Sequence, residues 1–325
     1  MTNLPSHYRA WCWQQGQQPG DLVSQTLTPR ALQPNEVWVA NHSIGLNPVD
    51  WKVLGSSSWN VGKVPGCDGA GTVIAVGANV DPDWLGQRVA YHQDLRCDGS
   101  FAELTAVAAR ALMALPGYLD FDTAASFPCP GLTAWQAISK AALQRENAIL
   151  VSGAGGAVGH YLVQFAHAMG LWVDVLCHPR HWQRLQSLGA NRGFEHVEAA
   201  LTAGRVYHAV IDAVSEQQAR QLVPALRANG HLVCIQGRLS EWPNDPFGLS
   251  LSLHEVALGA LHRYGDDDAW YTLTHKGEAL LHDIQQGRLE PETLHRYDFE
   301  SLPTALQDLR NRRVSGKLLV QTVRN

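Results

Sequence analysis

The stretch Ile149-Leu-Val-Ser-Gly-Ala-Gly-Gly-Ala-Val-Gly-His-Tyr-Leu-Val-Gln-Phe-Ala-His-Ala-Met-Gly170 decides how the rest of the chain is read. Ile149, Leu150 and Val151 form the short apolar run of a strand buried on both faces. Four glycines follow, Gly153, Gly155, Gly156 and Gly159. The apolar period then changes, and Val158, Leu162, Phe165, Ala166 and Met169 line one face of a helix that closes at Gly170. Strand, glycine turn and helix in that order leave backbone N–H groups free at the positive end of a helix dipole, where a diphosphate binds. Because position 158 is valine, the spacing is Gly153, Gly156, Gly159 rather than a literal G-x-G-x-x-G. Tight turns and close helix packing also use glycine, so it is the flanking strand and helix that point to a dinucleotide.

On the carboxyl side the same grammar recurs. Strands are predicted at Trp172–Cys177, Tyr207–Asp212 and His231–Gln236, with a helix over Ser215–Asn229 closing at Gly230. A long helical stretch over Ala124–Arg145 precedes the first strand. Such alternation implies a parallel sheet covered on both faces, with the nucleotide at the carboxyl ends of the strands where the crossover direction reverses. An NAD site places Asp or Glu about 20 residues past the glycines, where it accepts hydrogen bonds from the ribose. Here the second strand ends Leu176-Cys177-His178-Pro179-Arg180-His181, with Arg184 beyond. Arginine grips a 2′-phosphate through paired hydrogen bonds, so NADPH is the expected cofactor. Solvated surface charges would give Arg180 and Arg184 the same look.

On the amino side, Tyr8 to about Phe121 is strand-like and carries no long helical period. Its first dense segment is Gly45-Leu-Asn-Pro-Val-Asp-Trp-Lys52, which sets an amide, a carboxylate and an ammonium within one bend. A local cap and a surface ion pair would read alike. Three glycines in Pro65-Gly-Cys-Asp-Gly-Ala-Gly71 mean that backbone passes close to another segment or a ligand. His92, alone after the run Arg88–Tyr91, reads as a packed or solvent-facing side chain. Helices at His282–Gly287 and Phe299–Arg313 and a strand within Val314–Gln321 close the chain.

Composition sets the outer limits. The chain has 325 residues, 45% hydrophobic and 17% charged, enough for two globular domains. A net charge of -5 gives no reason to expect nucleic acid or a membrane surface as partner. Six cysteines without a C-x-x-C pair suggest neither a disulfide framework nor a clustered structural zinc site, and fit a reducing cytoplasm. The amino terminus has no basic segment followed by an apolar core, and no run of about 18 apolar residues occurs, so a cytoplasmic protein is expected.

With these motifs assembled, the chain resembles the medium-chain dehydrogenase/reductase superfamily, and within it the zinc-independent quinone oxidoreductase-like branch. The resemblance rests on NPVDWK from Asn47, PGCDGAGTVIAVG from Pro65, GQRVAYH from Gly86, GSFAE from Gly99, AASFPCPGLTAWQA from Ala124, GAGGAVG from Gly153 and SGKLLV from Ser315, all in the expected order. It implies a GroES-like β domain of residues 1–125 and 267–325 and a Rossmann NADP-binding domain of residues 126–266, with the active site in the cleft between them. Catalytic contacts would fall on Asn47, Asp50 and Lys52, with Asp50 orienting Lys52. Cofactor contacts would fall on Thr133, on the turn Gly153, Gly156, Ala157, Val158 and Gly159, on His178, Arg180 and Arg184, and on Gly237 and Lys317. The segment from His178 to Arg184 looks about one residue shorter than in relatives, which leaves Arg180 and Arg184 as alternatives for the 2′-phosphate. A homodimer or homotetramer is also implied.

Zinc-dependent relatives hold catalytic zinc with cysteine, histidine and cysteine, at places that match Asn47, Cys67 and Cys129. Two thiols remain, and a third ligand could come from Asp68 or His92. Two small buried thiols without an ion are the plainer reading, and no metal is expected. The function implied is an NADPH-dependent reductase delivering hydride to a quinone or an α,β-unsaturated carbonyl, with Asn47 and Lys52 stabilising the developing oxyanion. The alternatives are a zinc-dependent alcohol dehydrogenase and an NADPH-binding protein without turnover.

Overall fold

The computed structural model describes residues 4–56 and 59–322. The chain divides into two units, Met1–Cys129 with Gly259–Asn325, and Pro130–Leu258.

Unit two is the parallel sheet anticipated from the glycine turn. Six strands run in the order 192–194, 172–176, 148–152, 207–212, 226–234, 252–255, and every neighbouring pair is parallel. The first strand in sequence, Ala148–Ser152, is wholly buried, as its unbroken apolar run requires. Successive strands go first to one side of it and then to the other, so the direction switches between 148–152 and 207–212. Helix Ala157–Ala168 packs Leu162, Val163 and Ala166 inward.

Two helical predictions here are corrected. Ser215–Asn229 is not one helix: Ser215 caps Glu216–Gln221, a 3-10 turn at Val223–Ala225 follows, and strand begins at Leu226. Pro224 stands where an interior helical N–H is needed, so the helix stops before it. Likewise Ala124–Arg145 is two helices, Phe121–Ser126 and Pro128–Ser139, separated at Phe127, the residue before Pro128.

Unit one is built on a seven-stranded sheet in the order 294–298, 317–321, 36–45, 68–76, 88–92, 112–114, with 104–108 also pairing to 36–45. Its core holds Ile44, Leu46, Phe101, Leu302, Leu306, Leu318 and Val320. The glycines before Thr72 serve another segment: a Cβ on Gly71 would lie 1.9 Å from the Ala40 carbonyl oxygen. In the same strand pair, Asp68 stands directly opposite His92. The short helix Pro48–Lys52 starts on an Asn47 cap with proline in its first turn. The closing helices are Asp267–Gln285, longer than expected and capped by Asp266, and Leu302–Arg310. Among the described residues no helix is long and apolar enough to cross a membrane.

Candidate active site

In the second unit the strand Ala148–Ser152 delivers the chain to Gly153, whose φ of +71° suits glycine. Gly156 caps helix Ala157–Ala168 and, lacking a side chain, offers no cap bond to the first N–H groups of that helix. A Cβ on Gly156 would meet nothing nearer than the Gly153 carbonyl oxygen at 3.7 Å, whereas one on Gly159 would come within 2.4 Å of the Ala154 backbone. Packing therefore requires Gly159, while Gly156 leaves open space in front of a positive helix end, as an approaching phosphate needs.

Basic side chains gather around this turn. The His181 ring lies so close that a Cβ on Gly155 would meet its Cδ2 at 2.5 Å. Arg180 Nε donates to His181 Nε2 over 3.0 Å. Arg184 places Nη1 2.8 Å from His160 Nδ1 and donates from Nη2 to the Gly155 carbonyl over 3.3 Å. His178 Nδ1 accepts the Arg180 N–H at 3.2 Å. The carboxylate within the second strand, Asp174, is fully buried and bonded by Arg192, Tyr207 and the Trp172 indole. At the switch point the Ser152 hydroxyl donates to Asp212 over 2.6 Å, and burial raises the Asp212 carboxyl above its ordinary range. Thr133 is buried on helix Pro128–Ser139, and a Cβ on Gly237 would lie 3.1 Å from the Glu216 amide nitrogen.

The first unit holds a buried polar cluster. Asn47 donates from Nδ2 to Asp68 Oδ2 over 2.8 Å and accepts at Oδ1 from Lys317 Nζ over 2.6 Å. The same Nδ2 lies 3.2 Å from the Gly45 carbonyl and 3.4 Å from Cys67 Sγ. Asp68 Oδ1 is 3.0 Å from His92 Nδ1, and both carboxylate oxygens accept the Cys129 N–H, at 3.1 and 2.9 Å. Lys317 Nζ stands 3.5 Å from Asp68 Oδ2. Asp50 accepts the Asn47 N–H at 2.7 Å, while its Oδ1 has no hydrogen-bond partner.

Burial and charge act against each other throughout this cluster. Burial pushes Asp68 up, yet the Lys317 charge and the His92 bond outweigh it and hold the carboxyl below its ordinary range. Burial favours neutral His92, but the bond and charge of Asp68 carry it above the usual value. With less compensation, burial takes Asp50 up to about 7. Cys67 is raised, first by burial and then by its bond to Cys129, and that same bond lowers Cys129. One ligand atom each from Cys67, His92 and Cys129 lie within 4.8 Å of one another.

Known proteins share this organisation. Residues 33–117 match the alcohol dehydrogenase GroES-like domain and residues 188–320 the zinc-binding dehydrogenase family. A trans-enoyl reductase of Alternaria alternata is 26% identical, over 94% of this chain and 97% of its own. The chloroplast envelope quinone oxidoreductase homolog of Arabidopsis thaliana is 30% identical over 64% of this chain and 67% of its own. This chain belongs to the medium-chain dehydrogenase/reductase superfamily. Among solved structures of the same fold, the quinone oxidoreductase from Coxiella burnetii has a TM-score of 0.83 at 22% identity, covering 98% of this chain and 100% of that one. The cobalt- and zinc-bound thermostable alcohol dehydrogenase from Pyrobaculum aerophilum has a TM-score of 0.82 at 22% identity, covering 97% and 100%.

As a medium-chain dehydrogenase/reductase the chain is an oxidoreductase whose family binds a nicotinamide cofactor, and the open helix end at Gly156 fits that group's diphosphate. The residues named from sequence do not form one set. Asn47, Asp50 and Lys317 meet in the buried cluster, but Asp50 does not orient Lys52 as expected: it is wholly buried and bonds the Asn47 N–H, while Lys52 lies exposed with Nζ 5.7 Å from the Trp51 ring centroid. Lys317, expected at the cofactor, is bonded through Nζ to Asn47 Oδ1.

Asp68 and His92, left open or taken as ordinary, prove central. Their pairing comes from strand register, a signal that the two short motifs contain only once aligned as antiparallel neighbours. Of the two residues considered as a third ligand beside the thiols, it is His92 that gathers with Cys67 and Cys129, two sulfurs and an imidazole, a donor set of the kind that holds zinc.

Proposed function

We propose that the protein is an NADPH-dependent reductase that transfers hydride to a quinone or an α,β-unsaturated carbonyl. The observation that carries this reading is the basic surround of the glycine turn, Arg180, His181 and Arg184, with the strand's carboxylate buried and engaged elsewhere. A 2′-phosphate is favoured there by charge and by hydrogen bonds, and a ribose-binding carboxylate is lacking. The enoyl reductase and quinone oxidoreductase relatives support the acceptor class.

In this reading NADPH supplies the hydride, and solvent returns the proton that completes a hydroquinone or a saturated carbonyl. Lys52, exposed at the end of its short helix, is the donor offered to the developing oxyanion. Asn47 acts as a positioning residue, because its amide is bonded to Asp68 and Lys317 and fixes both. The test is binding of NADPH and NADH by calorimetry, followed by NADPH oxidation with a panel of quinones and enones. Tighter NADPH binding with turnover of one acceptor class is expected. Equal affinity for both nucleotides, or binding without turnover on either class, would count against it.

A further inference from the structure

We infer that Asp212 is a positioning residue for the nucleotide site: its carboxylate fastens the glycine turn to the neighbouring loop 213–215 and so fixes the backbone N–H groups that a diphosphate takes. The inference deepens the NADPH reading and rests on it for the identity of the ligand.

Asp212 stands where the sheet changes direction. Strands Ala148–Ser152 and Tyr207–Asp212 are parallel neighbours there, and Ser152 lies directly opposite Asp212. Each strand then gives way to a turn: Gly153 opens the glycine turn, and Ala213 opens the loop that leads to the Ser215 cap. Backbone bonds tie the two turns together thinly. The Ala213 N–H donates to the Ser152 carbonyl over 3.1 Å, while the Gly153 N–H turns to the other side and donates to Leu176 over 3.0 Å.

The Asp212 carboxylate adds the cross-links that the backbone lacks. Its Oδ1 accepts the Ser152 hydroxyl at 2.6 Å, and its Oδ2 accepts the Val214 and Ser215 N–H groups at 3.0 and 2.9 Å. Gln218 Nε2 donates to the Ser152 oxygen, which leaves that hydroxyl's own hydrogen for the carboxylate. One wholly buried side chain thus joins the residue before Gly153 to the segment packed on Gly153, where an added Cβ would lie 2.9 Å from Val214 Cγ2.

Geometry explains why a carboxylate is kept here. Burial raises the Asp212 carboxyl, the same three bonds draw it down, and among the described residues no basic side chain bonds it. A buried carboxylate without an ion pair is costly, yet it accepts three bonds through two oxygens, which an amide with one oxygen does not. Because Gly156 faces open space, the place of the turn depends on how its ends are held, and preset N–H groups bind an anion without reorganising.

Full-length Asp212→Ala, Asp212→Asn and Ser152→Ala proteins are compared with the wild type by calorimetry against NADPH, NADH and adenosine 2′-monophosphate, which has no diphosphate. Asp212→Ala should weaken NADPH and NADH by the same factor, about tenfold or more, and leave adenosine 2′-monophosphate unchanged. Asp212→Asn, still able to accept the two loop N–H groups, should recover part of the loss. Ser152→Ala should cost less than Asp212→Ala, because it leaves those two bonds intact. A second measurement needs no nucleotide: in Asp212→Asn the Val214, Ser215, Gly153 and Gly156 amides should exchange hydrogen faster, while those of strand Trp172–Leu176 stay slow. Unchanged NADPH affinity in Asp212→Ala, or a loss that falls equally on adenosine 2′-monophosphate, would overturn the inference. So would exchange that quickens at Val214 and Ser215 without reaching the glycines. Failure of the wild type to bind NADPH would instead sink the reductase reading, and the exchange rates would still decide whether Asp212 holds the turn.

Discussion

The glycine turn of the second unit and the polar cluster of the first are built by opposite means. The turn itself projects nothing: Gly156 faces open space and its own contribution is backbone N–H, with Arg184 and His181 standing beside Gly155. In the cluster everything projects inward, and Asn47, Asp50, Asp68, His92 and Lys317 are all buried and mostly bonded to one another. A site of bare backbone separates affinity from stability, because altering it removes no internal contact. A closed network of buried charges cannot, because each member solvates the next.

The sharpest way to break that contrast is at Lys317. Replacing it with Met leaves the Asp68 carboxylate buried without its cation and should lower the unfolding free energy by about 3 to 5 kcal/mol, read from the urea midpoint. A loss under about 1 kcal/mol would mean that the cluster is as separable as the turn.

Asp50 gives the next effect, through pH. Its folded carboxyl titrates at about 7 against an ordinary 3.8, so between those values the folded state holds a proton that the unfolded state has released. Stability from this group is complete below the ordinary carboxylate range and falls as pH rises through 7, by a few kcal/mol in all. Asp50→Asn keeps an oxygen for the Asn47 N–H and removes the titration. The variant should therefore gain on the wild type from pH 5 to pH 8 in denaturant unfolding. Parallel stability–pH curves would show that Asp50 is ionised throughout.

The same contrast explains what could be read from the chain. The turn is local, since strand, glycines and helix lie within Ile149–Gly170, and short-range periodicity suffices to find it. The cluster draws on positions 47, 68, 92, 129 and 317, which meet only through strand register and the return of the terminal strand to 36–45. His92 therefore reads as a lone histidine, and Asp50 and Lys52, close in sequence, take opposite environments because a single helical turn points them apart. The merged helix over Ser215–Asn229 fails for another reason: apolar spacing continues past Pro224, and the missing N–H overrides it.

Within the turn, two glycines sharpen the comparison further. Gly156→Val should weaken NADPH binding about 100-fold, or about 2.7 kcal/mol, while shifting unfolding by under about 1 kcal/mol, because the side chain enters space the protein does not fill. Gly159→Val should do the reverse and cost about 1 to 3 kcal/mol of stability against the Ala154 backbone. Matched losses of stability in the two variants would remove the distinction.

The smallest effect expected separates the two arginines. Arg180 is exposed and reaches the turn through His181, whereas Arg184 is tied to the Gly155 carbonyl and to His160, and so holds the turn itself. A residue that grips the 2′-phosphate acts on NADPH alone; one that braces the diphosphate loop acts on both nucleotides. Arg180→Ala should therefore lower the NADPH-to-NADH affinity ratio about tenfold, or about 1.4 kcal/mol, with NADH binding unchanged. Arg184→Ala should weaken both cofactors by similar factors. If calorimetry finds the ratio moving with Arg184 and not with Arg180, the phosphate lies over the loop rather than beyond the second strand.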